Sequence, residues 1–152
     1  MSIETKVPPP AVTAIAAIAM WGVSLIAPQV EMPAGVRLAA CAAIAVVGLV
    51  FGAAGIVSFR RARTTIHSER PEKASSLVHS GIYRVTRNPM YLGLALVLVA
   101  WAVFLSSAWA LFGPLAFMLY MNRFQIAAEE RALSRLFGVE YASYQARVRR
   151  WL

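Results

Sequence analysis

The residues Leu77-Val78-His79-Ser80-Gly81-Ile82-Tyr83-Arg84-Val85-Thr86-Arg87-Asn88-Pro89-Met90-Tyr91-Leu92-Gly93 mark the point where a polar loop turns into a long apolar run. Asn88 is a good helix N-cap and Pro89 a good first helical residue, so a helix is expected to begin here. In a membrane helix Tyr91 would sit at headgroup depth, with Arg84 and Arg87 toward the cytoplasmic lipid surface. These entry signals account for Asn88, Pro89 and the arginines. They leave the spacing of Gly81, Tyr83, Tyr91 and Gly93 without a reason.

Outward from this stretch, the 152-residue chain reads as one domain, 59% hydrophobic and only 14% charged. That is too apolar for an ordinary soluble domain. The apolar residues gather into runs near the roughly 20 residues needed to cross a bilayer. The reading is an all-α, polytopic membrane protein of about four transmembrane helices, with approximate spans 11–30, 36–59, 89–105 and 108–121. A polar loop, 60–88, precedes the third span, and amphipathic cytoplasmic helices over 122–152, broken at Gly138, follow the fourth. Ser106-Ser107 form the turn between spans three and four, which at about 1.5 Å per residue reach only roughly 20–25 Å each.

The net charge of +8 could suggest nucleic acid, but its placement argues against that. All of the 15 Lys and Arg except Lys6 and Arg37 lie between Arg60 and Arg87 or between Arg123 and Arg150. Basic residues confined to alternate loops are the positive-inside pattern. It puts both segments in the cytoplasm and, with four spans, both termini there too, in a bacterial-type inner membrane. Arg147, Arg149, Arg150 and Trp151 then suit a tail lying on the anionic inner leaflet.

Cys41 is the only cysteine, so neither an internal disulfide nor a CxxC site is available. Met1 to Lys6 lack a basic signal-peptide start, and the first apolar run reads as a retained helix. Pro8-Pro9-Pro10 is a stiff lead-in. Gly48 and Gly52, four apart with Gly55 nearby, look like a small-residue helix contact rather than a phosphate loop, which would need a strand-turn-helix setting. His67 and His79 lie in the polar loop with no Cys or Asp beside them, and no metal is expected.

The motif resembles the core of the integral-membrane methyltransferases that include isoprenylcysteine carboxyl methyltransferases and phospholipid N-methyltransferases. That pattern runs Leu-Val-x-x-Gly-x-Tyr-x-x-x-Arg-His/Asn-Pro-x-Tyr-x-Gly, followed downstream by Glu-Glu and a Phe-Gly-x-x-Tyr-x-x-Tyr ending. This chain carries Glu129-Glu130 and then Phe137-Gly138-Val139-Glu140-Tyr141-Ala142-Ser143-Tyr144 in the same order. The resemblance covers roughly residues 60 to 150. It implies methyl transfer from S-adenosylmethionine, leaving S-adenosylhomocysteine.

By the same resemblance, Ser76, Leu77, Val78, Tyr83 and Asn88 to Tyr91 (with Pro89 and Met90 between) line the cofactor pocket. Gly81 and Gly93 allow close backbone approach. The glutamate pair serves the cofactor, Glu129 first and Glu130 second. None of the residues three or four positions away on the helix is basic, so each glutamate is solvated, paired across the fold or holding a ligand. A carboxylate accepts hydrogen bonds from ribose hydroxyls and from an ammonium group. The methionine carboxylate would meet the helix start at Asn88-Pro89 and the Arg87 guanidinium.

Arg87, Asn88 and Glu129 are therefore the expected catalytic residues. Asn88 stands where the carboxyl-methylating members have His. It can hydrogen-bond and cap, but cannot shuttle a proton at neutral pH. Arg123 and His79 are the expected substrate-binding residues, Arg123 steering an anionic acceptor from the membrane edge.

Methyl transfer from a sulfonium needs alignment and water exclusion more than an acid when the nucleophile is a carboxylate or thiolate. An amine nucleophile needs a base. The expected acceptor is a lipophilic carboxylate or thiol, isoprenylcysteine-like, entering sideways from the bilayer; the alternative is a phospholipid amine. A catalytically silent membrane scaffold of the same fold is the non-enzyme alternative. A transporter should carry polar groups inside its spans, and these spans have almost none.

Overall fold

The computed structural model describes residues 7–62 and 76–152, and among these the chain is helical with no strand. Five α-helices are present: α1 Pro9–Ser24, α2 Ala34–Arg61, α3 Pro89–Phe104, α4 Phe112–Tyr120 and α5 Ala127–Arg147. His67 and the middle of the polar loop lie outside the described residues.

The proline run starts α1 rather than merely preceding it. Pro9 occupies the first turn, where the missing N–H has no partner to lose. The helix then stops six residues short of the expected end at Val30. Ser24 turns its hydroxyl onto the Trp21 carbonyl at 2.7 Å, and Pro28 disfavours a helical residue before it. The released chain is pinned by the Val30 amide, which donates to the Ser106 carbonyl at 2.7 Å.

At 28 residues, α2 is about 42 Å long, enough to cross a hydrocarbon core of about 30 Å. It is the one helix among the described residues long and apolar enough to do so alone; α1 and α3 are shorter apolar helices of 16 residues. Arg60 and Arg61 close α2 at the carbonyl-rich, negative end of its dipole.

Helices α2 and α3 run antiparallel in backbone contact. A Cβ added at Gly93 would lie 2.6 Å from the Gly48 carbonyl oxygen and 2.9 Å from the Gly52 nitrogen. One added at Gly55 would lie 2.7 Å from Met90 Cγ. The small-residue face of α2 is thus a helix contact, as its spacing indicates. The close approach expected at Gly93 is made to α2, and a ligand there would have to displace a helix.

The turn after α3 is at Ser106-Ser107, as expected, with Ser106 at φ 50°. Beyond it the expected fourth span opens as a 3₁₀ turn, Ala108–Leu111, and its α-helical part is only the nine residues of α4. No break separates α4 from the polar helix that follows. A π-helical turn, Met121–Ile126, joins them, and such turns are enriched at functional sites. Gly138, with φ 46° and ψ −117°, kinks α5 where the sequence indicates a break.

Two apolar clusters result. One packs Leu98, Phe117, Met121 and Ile126 against Met20, Tyr91 and Ala102; in the other, Val78 and Tyr83 meet Tyr141 and Tyr144 of α5. Large apolar side chains such as Ile18, Leu49 and Leu119 stay more than half exposed, an apolar exterior that suits a lipid environment.

Candidate functional site

The site forms where the two clusters meet, and the motif is shaped before it reaches α3. Gly81, at φ 61°, adopts a left-handed conformation that any L side chain would strain, and an added Cβ would come 3.0 Å from Ser58 Oγ. It opens the 3₁₀ turn Gly81–Arg84, which drives Tyr83 into the second cluster. The Tyr83 ring stands edge-on to Phe59 with centroids 5.4 Å apart, and its carbonyl accepts the Tyr144 hydroxyl at 2.7 Å. Burial, then the neighbouring Tyr144, raises the Tyr83 phenol well above its ordinary value. Tyr83 and Val78 are thus packed into this cluster, with the flat Tyr83 ring against Phe59.

Ser76 is tied to the end of α2 through the Ala62 carbonyl at 3.2 Å, with Leu77 packed on the second cluster. His79 is exposed, its ring Nδ1 3.2 Å from the Leu77 carbonyl. Arg123 is also exposed, its guanidinium 5.6 Å from the Phe124 ring centroid.

Asn88 sits at the N-cap of α3, but its side chain makes no capping bond. Its Nδ2 donates instead to the Arg150 carbonyl at 2.9 Å. Pro89 and Met90 abut Gly55, so the first turn of α3 lies against α2.

One turn on, the Tyr91 hydroxyl donates to Oε1 of Glu129, and Gln125 Nε2 donates to the same oxygen at 3.0 Å. Glu129 is only partly buried as a residue, yet its carboxyl points at Tyr91 and Gln125, both nearly inaccessible. Burial pushes its pKa up to about 7, with the two hydrogen bonds opposing and Glu130 adding to the rise.

Glu130 points elsewhere, as successive helical residues about 100° apart must. It is paired across the fold. Arg150 grips it through Nε–Oε1 at 3.1 Å and Nη2–Oε2 at 2.6 Å, and Arg87 Nη2 stands 3.2 Å from Oε1. The remaining Arg87 nitrogens, Nε and Nη1, are buried with no hydrogen-bond partner among the described residues. A buried guanidinium with two unmet donors is costly unless something fills them.

The site thus assembles Arg87, Asn88, Tyr91, Glu129 and Glu130, all expected from sequence. It adds Thr86, Asn122, Gln125, Arg150 and Trp151, which were not. Gln125 had a signal, since it stands four residues before Glu129. Arg150 and Trp151, expected to lie on the lipid surface, turn inward instead, because Glu130 and Asn122 offer partly buried acceptors. Chemically the arrangement offers an accepting carboxylate, Glu129, and a donating guanidinium, Arg87.

Residues 36–140 match the model of a family described as phospholipid methyltransferase. A Haemophilus influenzae protein described only as uncharacterized is 49% identical over 63 residues, which is 41% of this chain and the whole of that protein.

Proposed function

This chain belongs to the phospholipid methyltransferase family, and from that premise we propose that it transfers a methyl group from S-adenosylmethionine to a lipophilic acceptor at a membrane's cytoplasmic face. The observation that carries the proposal is the pairing in one site of an accepting carboxyl, Glu129, with two buried donors of Arg87, Nε and Nη1, that have no hydrogen-bond partner among the described residues. They are complementary to the two ends of an amino acid zwitterion. The donor set therefore fits the cofactor's methionyl portion.

Bound S-adenosylmethionine would supply a methyl group on a sulfonium, the acceptor's lone pair bonding to the methyl carbon as the carbon–sulfur electrons return to the departing neutral sulfur. Arg87 would take the carboxylate by charge-assisted bonds. Glu129, held by Tyr91 and Gln125, would accept from the ammonium or the ribose hydroxyls. The packed Tyr83–Tyr141–Tyr144 cluster supports this wall and limits water.

For the membrane arrangement, α2 provides one crossing. We extend this to four, with α1, α3 and α4 completing the bundle over shorter apolar lengths and both termini in the cytoplasm. Short spans are accommodated by local thinning of the bilayer.

An apolar groove of about 620 Å³ between α1, α2 and α3, lined among others by Ala17, Cys41, Leu94 and Trp101, suits a hydrocarbon chain. It begins at Leu94, less than one turn beyond Tyr91 along α3. The first reading of the acceptor is a lipophilic carboxylate or thiolate, isoprenylcysteine-like. A phospholipid amine is the second, and one observation favours it: a carboxyl near pKa 7 can take the proton that an amine must lose.

The test is calorimetric binding of S-adenosylmethionine and S-adenosylhomocysteine to detergent-purified protein, followed by methyl transfer to a prenylated cysteine and to phosphatidylethanolamine. Saturable binding lost in Glu129→Ala and Tyr91→Ala is expected. Absence of binding by folded wild-type protein would overturn the enzyme reading and favour a silent scaffold.

A further inference from the structure

The last residues of the chain are built into the site rather than trailing from it. Val148 leaves the helix with φ −124° and ψ 131°, and the strand-like strap that follows crosses the motif. The Arg87 amide donates to the Arg149 carbonyl at 3.0 Å. The Arg150 carbonyl accepts from Thr86 Oγ1 at 3.2 Å and from Asn88 Nδ2 at 2.9 Å. Asn122, in the π turn, anchors the other side, accepting from Trp151 Nε1 at 3.1 Å and Arg150 Nη1 at 3.5 Å.

This strap decides how the charges of the glutamate pair are shared. A carboxylate and a guanidinium pair best face to face, through two parallel bonds. Arg150 makes that two-point contact with Glu130, so Arg87 reaches Glu130 through Nη2 alone. With Arg150 absent, nothing would stop the Arg87 fork from rotating onto Glu130 to claim both oxygens. The donors now unmet on Arg87 would then be consumed inside the protein.

We propose that Arg150 is a positioning residue of the cofactor site: by satisfying Glu130 it keeps Nε and Nη1 of Arg87 available to the anionic end of a bound ligand. This inference rests on the methyltransferase reading above. Arg150 is also part exposed, its side chain at 38% against 16% for Glu130 and 13% for Arg87, so it closes the pair from the solvent side. The strap's backbone bonds to residues 86–88 hold the Arg87 backbone in place while its side chain is spared.

A double-mutant rescue tests this on the full chain in detergent, with S-adenosylhomocysteine as the calorimetric probe. Arg150→Gln should weaken binding about ten- to hundredfold, because an unneutralised Glu130 captures Arg87. Arg150→Gln combined with Glu130→Gln should regain most of the affinity, since a neutral amide no longer competes for the guanidinium. A strap that merely held the fold together would give a double variant no tighter than the single one. If Arg150→Gln does not fold, Arg150→Lys keeps the charge, loses the fork and enters the same comparison with Glu130→Gln.

Two results overturn the proposal: single-variant affinity within about twofold of wild type, or no rescue in the double variant. Either of these, with wild type binding normally, leaves the methyltransferase reading standing. Failure of the wild type itself to bind would overturn both.

Discussion

The most exposed consequence of the site is the pH dependence it gives the ligand-free protein through Glu129. In the unfolded chain this carboxyl titrates at its ordinary value of 4.5, whereas in the fold burial pushes it up to about 7. Between these two values the folded protein holds a proton that the unfolded chain has released. Stability is therefore highest below pH 4.5 with respect to this group, and is lost progressively as pH rises to about 7. The gap between the two values corresponds to about 3 kcal/mol, at 1.36 kcal/mol per pH unit.

Glu129→Gln removes the titration while keeping an oxygen for Tyr91 and Gln125. Above pH 7.5 the variant should melt higher than wild type by roughly 6–12 °C, at about 2–4 °C per kcal/mol for a chain of this size. Near pH 4.5 the two should melt together. The assay is thermal unfolding in detergent by circular dichroism at closely spaced pH values. A wild-type curve flat across the window, or an equal slope in the glutamine variant, would refute the reasoning. Cofactor affinity should move oppositely, tightening as pH rises through about 7, because the ionised carboxylate is the better acceptor for a cation.

Two further outcomes follow from packing. Gly93→Ala should lower the melting temperature by several degrees, at a cost of about 1–3 kcal/mol from overpacking, because the added methyl meets the backbone of Gly48 and Gly52. A gain in helix propensity of about 1 kcal/mol offsets only part of that. Tyr144→Phe should cost about 1–2 kcal/mol by leaving the Tyr83 carbonyl without its donor, read as a lower melting temperature with cofactor affinity largely kept.

The elements legible in the sequence were those set by local periodicity. Gly48, Gly52 and Gly55 announce a helix contact four residues apart, and Ser106-Ser107 and Gly138 announce breaks, each at the residue where the chain turns. Legibility failed where composition carries no mark of the contact that decides the conformation. Ser24 caps the end of α1 through its own side chain, a competition between hydroxyl and backbone that composition does not reveal. Met121–Ile126 reads as ordinary helix, and nothing in its composition marks the π turn. Gly93 was read with the motif it belongs to, although its contact is with a helix some 40 residues earlier in the chain.

For the site, the decisive ambiguity was the glutamate pair, and geometry resolves it through charge. Two adjacent carboxylates cannot both be left bare in a partly buried place, because each would raise the cost of ionising the other. Two guanidinium groups meet Glu130, 3.2 Å away for Arg87 and 2.6 Å for Arg150. Among the described residues Glu129 receives only neutral donors, and so is the member whose charge depends on pH and on a ligand. No sequence spacing connects Arg150 to Glu130 across 20 residues and a kink at Gly138, so the terminal arginines read as lipid-facing. The same positive charge that suggested a membrane surface is what divides the pair into one structural carboxylate and one responsive one.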